Sequence, residues 1–349
     1  MAGGDAARAG VGRAGAGQCA ARRRACRAGA GGMVGGAVMS LCPIPASAAQ
    51  WHALRARHVG ASEAAILFGV APDYMPGLYS LWHIKAGKVP PPQVNTPRTR
   101  WGLLLEDAIA AGAGDQEGWD VRPGQYASRE GLGATLDRII AAPGPRDAGC
   151  EGPGVLELKN SDWLQHARTW GDEPPIHILL QLQAQLAATG YSWGAVAVLV
   201  GGNDLRIFRY AARPKVQADI LRRVRAFWAS IEEGRPPQPD GNDDTFRVLR
   251  VLDPEVVDEE LDLTTDNAAP VLCAEYLAAA AEAKAAEARR KEAMAGLLAK
   301  LGGHRWAKVP GFKLSQAVTE AKPDRVAKPG EIIKGRAESR RLTIKEIAA

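Results

Sequence analysis

The sequence has no apolar run approaching the roughly 18 residues that cross a bilayer, so no transmembrane helix is expected. It has no C-x-x-C pair. Cys19, Cys26, Cys42, Cys150 and Cys273 stand apart, which excludes a zinc ribbon and an iron–sulfur cluster. An odd, scattered set is not a disulfide framework either, and it fits the reducing cytoplasm, the location expected here. No internal repeat is present. The chain also has little charge excess to spread over a folded surface. Residues 1–40 carry six Arg and one Asp, which accounts for the formal net charge of +5, and the remaining chain is neutral. Any footprint on a polyanion would therefore be a local patch.

What is present is apolar material for a core: 46% of 349 residues are hydrophobic. Composition divides the chain. Residues 1–45 are built mainly from Arg, Gly and Ala without apolar periodicity and are expected to be disordered, with Met33 and Met39 as alternative starts. They lack the continuous apolar stretch of a secretory signal. Residues 46–238 read as one α/β domain, 239–265 as an acidic linker, 266–322 as a helical C-terminal region and 323–349 as a polar tail.

Within the main domain, WHALRAR predicts a helix, and HVGASEAAILFG predicts a turn and a short helix with Ser62 as N-cap. PGLYSLWHIKAG is a further helix closed near Gly87. TRWGLLLEDAIAAGAG is an apolar helix with Glu106 in its middle, and its face makes Glu106 half-buried and Asp107 exposed. Strands are expected at 133–141 and 153–160. DEPPIHILLQLQAQLAATG predicts a helix opened by two prolines, with Gln181 and Gln185 on one face and Gln183 on another. WGAVAVLV and LRIFRYAA pair as strands around Gly201-Gly202-Asn203. A basic helix follows at about 215–233. The seven basic residues from Arg206 to Arg225, spread over the preceding strand and this helix, fit either a duplex-backbone track or a solvated face. A long Ala-rich helix over 268–301 and a small strand pair complete the reading.

The chemistry concentrates in two of the strands. Alternate side chains of a strand share a face, so Glu157 and Lys159 point one way while Leu156 and Leu158 point the other. Asp137 lies 20 residues before Glu157, and their midpoint, Asp147, falls in the Gly/Pro-rich stretch APGPRDAGCEGPG. Two antiparallel strands turning there bring Asp137 and Glu157 together. Two like charges buried side by side are costly unless cations compensate. Lys159 supplies one positive charge, and a divalent metal with hard oxygen ligands supplies two more, leaving sites for water and phosphate. The polar outer face of a two-stranded ribbon would carry the same residues.

An Asp followed across a gap by Glu-x-Lys on a second strand resembles the PD-(D/E)XK nuclease fold. The order of segments resembles the YqaJ-like viral recombinases, relatives of the lambda-type exonuclease. RARHVGASEAAILFGV is similar to that family's opening segment, PGLYSLWHIKAGK to its Leu-Trp…Lys-x-Gly helix and TRWGLLLED to its Trp-Gly…Glu helix. GATLDRI, LELKN and QLQAQLAATG then follow in order, so the resemblance covers roughly 51–235. It departs at Arg138, where many relatives have Gly, and in the long loop between the two strands.

The resemblance implies an α/β PD-(D/E)XK nuclease core over 46–238, a central mixed β-sheet flanked by helices, with the long helix and strand pair appended. It implies Asp137, Glu157, the Leu158 carbonyl and Glu106 as metal ligands, with Mg²⁺ as the ion and Mn²⁺ as the alternative. Lys159 would activate water and steady the phosphate, and Gln181 would contact the site. Arg55 and Ser62 would hold a 5′-terminal phosphate. The implied activity is 5′-to-3′ exonuclease action on double-stranded DNA in phage-type recombination. The implied partners are a single-strand annealing protein and two further copies in a trimer. A structure- or sequence-specific endonuclease, or a non-catalytic DNA-binding protein on the same fold, stays open.

Overall fold

A computed structural model describes residues 39–92, 96–310 and 312–315. The expectations for residues 1–38, with Met33, Cys19 and Cys26, and for the tail at 323–349 lie outside the described residues. The chain divides into two units, one ending at Val256 and the other beginning at Val257. Among the described residues, no helix is long and apolar enough to cross a membrane.

The first unit opens with β1 (Met39–Pro43), α1 (Ala48–Arg55) and β2 (Val59–Gly60). A 3₁₀ turn (Ala61–Glu63) leads into α2 (Ala64–Leu67), α3 (Leu78–Lys85) and α4 (Pro97–Glu117). Four strands follow: β3 (Val121–Pro123), β4 (Gln125–Arg129), β5 (Leu132–Thr135) and β6 (Arg138–Ile140). Then come β7 (Gly154–Ser161), α5 (Trp163–Thr169), α6 (Ile176–Thr189), β8 (Trp193–Val200), β9 (Asp204–Ala211), α7 (Pro214–Glu232) and α8 (Asp243–Leu252).

The strands form a four-stranded sheet in the order β1-β4-β5-β2 and a five-stranded sheet in the order β3-β6-β7-β8-β9. Within the second, β7 runs parallel to β8 and its other neighbours pair antiparallel, so the sheet is mixed. The expected α/β class, a mixed sheet flanked by helices, is the architecture found. The faces follow from side-chain alternation. Leu156, Leu158, Ala195 and Ala197 meet Ile109, Ala110 and Ala113 of α4 in one core. Val155, Val196 and Val198 face the other way, into the larger core with Leu182 and Leu186 of α6. Both faces of β7 are thus covered, as its near-continuous apolar run requires. Each fully buried Leu of α6 contributes roughly 1.5–3 kcal/mol from area removed from water.

Three local readings change. Pro174 and Pro175 precede α6, with Pro175 as its N-cap, instead of occupying its first turn. The run 133–141 is not one strand: β5 pairs with β4 in one sheet and β6 with β7 in the other. The stretch after PPQPDGN is helical. There Asn242 caps α8 by accepting from the Asp244 N–H at 2.8 Å, and Val248 is buried against Tyr79 and Val89.

The second unit contains α9 (Ala269–Leu301), which ends at Gly302, and a hairpin of β10 (Trp306–Val309) with β11 (Phe312–Ser315). Both elements were expected.

Candidate active site

Strand β7 delivers its two charged residues to the α6 face. Glu157 is 1% exposed, which removes the reading of a polar outer ribbon face. Its carboxylate accepts from three donors, only one of them on Oε2. Gln181 Nε2 donates to Oε1 at 2.6 Å, Gln185 Nε2 donates to Oε2 at 2.5 Å, and Lys159 Nζ makes a short ion pair with Oε1. One helical turn separates the two amides, so α6 presents both to one acid. Gln183 sits on another face and closes a turn instead. It accepts from the Arg213 N–H at 2.8 Å and donates to the Ala211 carbonyl at 2.9 Å.

Asp137 arrives where the chain leaves one sheet for the other. The β6–β7 register pairs Arg138 with Leu156. Extended by one residue, it sets Asp137 opposite Glu157, and its centre is Asp147, the midpoint read from the sequence. Asp137 Oδ2 accepts the Leu158 N–H at 2.8 Å. Gly124 makes the crossing feasible, because a Cβ there would lie 1.7 Å from the Leu136 carbonyl oxygen. Burial, then the neighbouring Glu157, pushes the Asp137 carboxyl up to about 8, against the opposing pull of Lys159. Burial works against the Lys159 ammonium, but Glu157 and Asp137 outweigh it and hold its pKa above the ordinary value.

Glu106 of α4 approaches the same end of the sheet. Burial raises its carboxyl, Arg138 opposes that rise, and Glu157 adds to it. Arg138 Nη1 lies 3.7 Å from Glu106 Oε2 and donates to the Asp137 carbonyl oxygen at 2.6 Å, while its Nη2 forms a short ion pair with the exposed Asp107. The residue that departs from the family pattern is therefore a counter-charge at the site.

The chemistry of the donor set fits a divalent cation. The Asp137, Glu157 and Glu106 carboxylates act on one another and share the Lys159 ammonium, Arg138 pairs only with Glu106 among them, and the buried Gln185 Oε1 has no hydrogen-bond partner. Acceptors outnumber donors. Among the described residues, no three His, Cys, Asp or Glu side chains are arranged to hold an ion by themselves, so backbone or water oxygens would complete the ligand set.

A small cleft opens beside this centre, lined by Arg55, His58, Ser62, Tyr126, Thr135 and Gln181 among others. Gln181 belongs to both places, so the structure brings Arg55 and Ser62 to the edge of the acidic centre. Ser62 is not the N-cap expected. Gly60 occupies that position, and its N–H is taken by Glu63 Oε2 at 2.7 Å, because a carboxylate three residues on reaches back over the turn. Burial, above all, lowers the His58 pKa below its ordinary value. Tyr126 carries no motif signal of its own, because its partner His58 is 68 positions away.

The basic stretch 206–225 is largely paired within the fold. Arg209 binds Asp147 and Glu117, Arg206 binds Asp204, Arg222 and Arg223 bind Asp219, and Arg225 binds Glu130. These internal partners favour the structural reading over a duplex track. Trp170 is buried and stacks on His166, whereas Trp163 is 61% exposed.

Residues 50–192 match the model of the YqaJ-like viral recombinase domain, the family whose motifs the sequence resembles. The uncharacterized protein YqaJ of Bacillus subtilis (strain 168) is 26% identical over 228 residues, which span 62% of this chain and 67% of that one. The alkaline exonuclease LHK-Exo from Laribacter hongkongensis is similar over 54% of this chain and 94% of its own, at 18% identity and a TM-score of 0.42. LHK-Exo in complex with dAMP is similar over the same shares, at 19% identity and a TM-score of 0.43.

Proposed function

We propose that the chain is a divalent-metal-dependent deoxyribonuclease, an exonuclease that degrades one strand of double-stranded DNA from a 5′ end in phage-type recombination. The observation that carries this reading is the buried, cation-deficient pair Asp137 and Glu157 with Lys159 two residues along the same strand. The match of residues 50–192 to a viral recombinase domain supports it. The catalytic part is the 46–238 domain.

Asp137, Glu157, Glu106 and the Leu158 carbonyl would hold the ion, with Mg²⁺ preferred. Once bound, the ion supplies Lewis acidity toward the scissile phosphate and its attacking water. The side chains do the remaining work. Gln181 and Gln185 lock the Glu157 carboxylate in one orientation through two hydrogen bonds. Lys159, held charged by its two acids, donates hydrogen bonds to the water and to the non-bridging phosphate oxygens. Arg55 and Ser62 in the adjoining cleft bind the terminal phosphate and so fix how far the scissile bond lies from the end. Work with an annealing protein and assembly into a trimer extend this reading.

The test is digestion of end-labelled linear duplex and of covalently closed circular duplex, each with Mg²⁺ or with EDTA. Mononucleotides released from the linear duplex alone, and only with metal, are expected. Nicking of the closed circle would transfer the reading to an endonuclease. Cleavage that persists in EDTA would end it.

A further inference from the structure

Two charged residues of the family-like motifs, Glu63 and Lys85, have no role in the chemistry above. They touch the cleft-lining residues Arg55 and Gly60, with the Lys85 side chain 4% exposed and that of Glu63 17% exposed. Lys85 Nζ donates to Glu63 Oε2 at 2.8 Å and to the Arg55 carbonyl oxygen at 3.2 Å. Glu63 Oε1 lies 3.7 Å from Arg55 Nη2, and the Arg55 guanidinium stacks over the Trp51 ring at 4.6 Å. The backbone and the head of Arg55 are thus held by a buried ammonium, a carboxylate and an indole face. The fit is close: a Cβ on Gly60 would stand 3.3 Å from Glu63 Oε2 and 3.5 Å from Arg55 Nη2.

A buried ion pair adds little stability over apolar side chains of the same volume. This one ties three elements, α1, the 3₁₀ turn and α3, to a single cleft-lining guanidinium. Lys85 is too buried to meet a ligand, so it acts through Arg55. A long cation loses rotamer freedom when it grips an anion, and one that is already held loses less.

We propose that Glu63 and Lys85 are positioning residues that set Arg55 for a terminal phosphate monoester, and that they thereby create the preference for phosphorylated over hydroxyl DNA ends. This rests on the reading of the cleft given under Proposed function.

The experiment compares the wild type with Glu63→Gln, Glu63→Asp and Lys85→Met on linear duplexes bearing 5′-phosphate or 5′-hydroxyl ends. Initial rates are taken across substrate concentration, and folding is checked by thermal melting. Glu63→Gln and Lys85→Met are expected to narrow the phosphate-to-hydroxyl ratio of kcat/KM about tenfold, the size of one lost charge-assisted contact. The loss should enter through KM for the phosphorylated duplex, and Glu63→Asp should recover part of it. Equal losses on both kinds of end would overturn the inference. So would a wild-type preference that Glu63→Gln leaves intact, and that outcome would spare the phosphate reading of the cleft. A wild type without any preference would overturn both. If Glu63→Gln does not fold, Lys85→Met and Lys85→Arg supply the same ratio.

Discussion

Two acidic clusters in the first unit use the same residue types and end in opposite electrostatic states. In one, Asp147 and Glu117 share Arg209: Nε donates to Asp147 at 2.5 Å and Nη2 makes a short pair with Glu117. Arg146 adds a second cation 3.5 Å from Glu117, and the Trp119 indole N–H and the Gly144 N–H close on Asp147 Oδ2 at 2.5 and 2.7 Å. Burial alone would push Asp147 up, but these donors reverse it and hold its carboxyl below the usual value. In the other, Asp137 keeps one backbone N–H and a neighbouring carboxylate, and its carboxyl is pushed up to about 8. Donors decide the difference. The first cluster is complete as folded and pins the loop between β6 and β7. The second is left short of positive charge, the condition under which a site takes up an ion.

The sharpest break of this contrast is Asp137→Asn. Cleavage is expected to fall on the order of a thousandfold, since several kcal/mol of transition-state stabilisation depend on that carboxylate. Metal-free stability should move the other way. A carboxyl whose folded pKa lies above its unfolded one contributes stability that is fully present below the ordinary carboxyl range and is lost as pH rises. Thermal midpoints in EDTA should therefore drop by a few degrees for the wild type between about pH 4 and pH 8. Asp137→Asn should flatten that slope, and Mg²⁺ should raise the wild-type midpoint more at pH 8 than at pH 6. Asp147 has the opposite sign, since its stabilisation is lost as pH falls through its depressed pKa.

Next in size is Arg209→Met. It strands two buried carboxylates and is expected to cost about 3–5 kcal/mol in denaturant unfolding. Cleavage per folded molecule should be retained, because Arg209 touches nothing at the acidic centre. The smallest effect compares neighbouring amides. Gln183→Ala should cost about 1 kcal/mol in stability without changing cleavage. Gln185→Ala should cost a similar amount and also slow cleavage, because it frees one oxygen of Glu157. Equal activity in the two variants would remove Gln185 from the site.

Much of the acidic centre's geometry is legible in the sequence. Strand alternation separates Glu157 and Lys159 from Leu156 and Leu158, the i, i+4 rule joins Gln181 to Gln185, and the midpoint at Asp147 gives the register of β6 against β7. These are short-range periodicities, written into the sequence directly. What escaped depends on pairings distant along the chain. Arg209 and Asp147 are 62 positions apart, so an arginine that the sequence leaves open between a DNA contact and a solvated face turns out to be an internal counter-ion. The break at Leu136-Asp137 is invisible in the single stretch GATLDRIIA, since it depends on which sheet claims each half. Helix α8 hid behind its own cap, because Asn242 beside acidic residues looks like linker composition. Ser62 is as good a cap by type as any, and only the reach of Glu63 to Gly60 displaced it.

The change of sheet at Leu136 has a mechanical meaning. Thr135 borders the cleft and Asp137 enters the acidic centre, with one residue between them. If the cleft is occupied as proposed, the strand end it holds would be joined to the acid by two peptide units. On the function proposed above, recognition and reaction would be adjacent knots on a single cord.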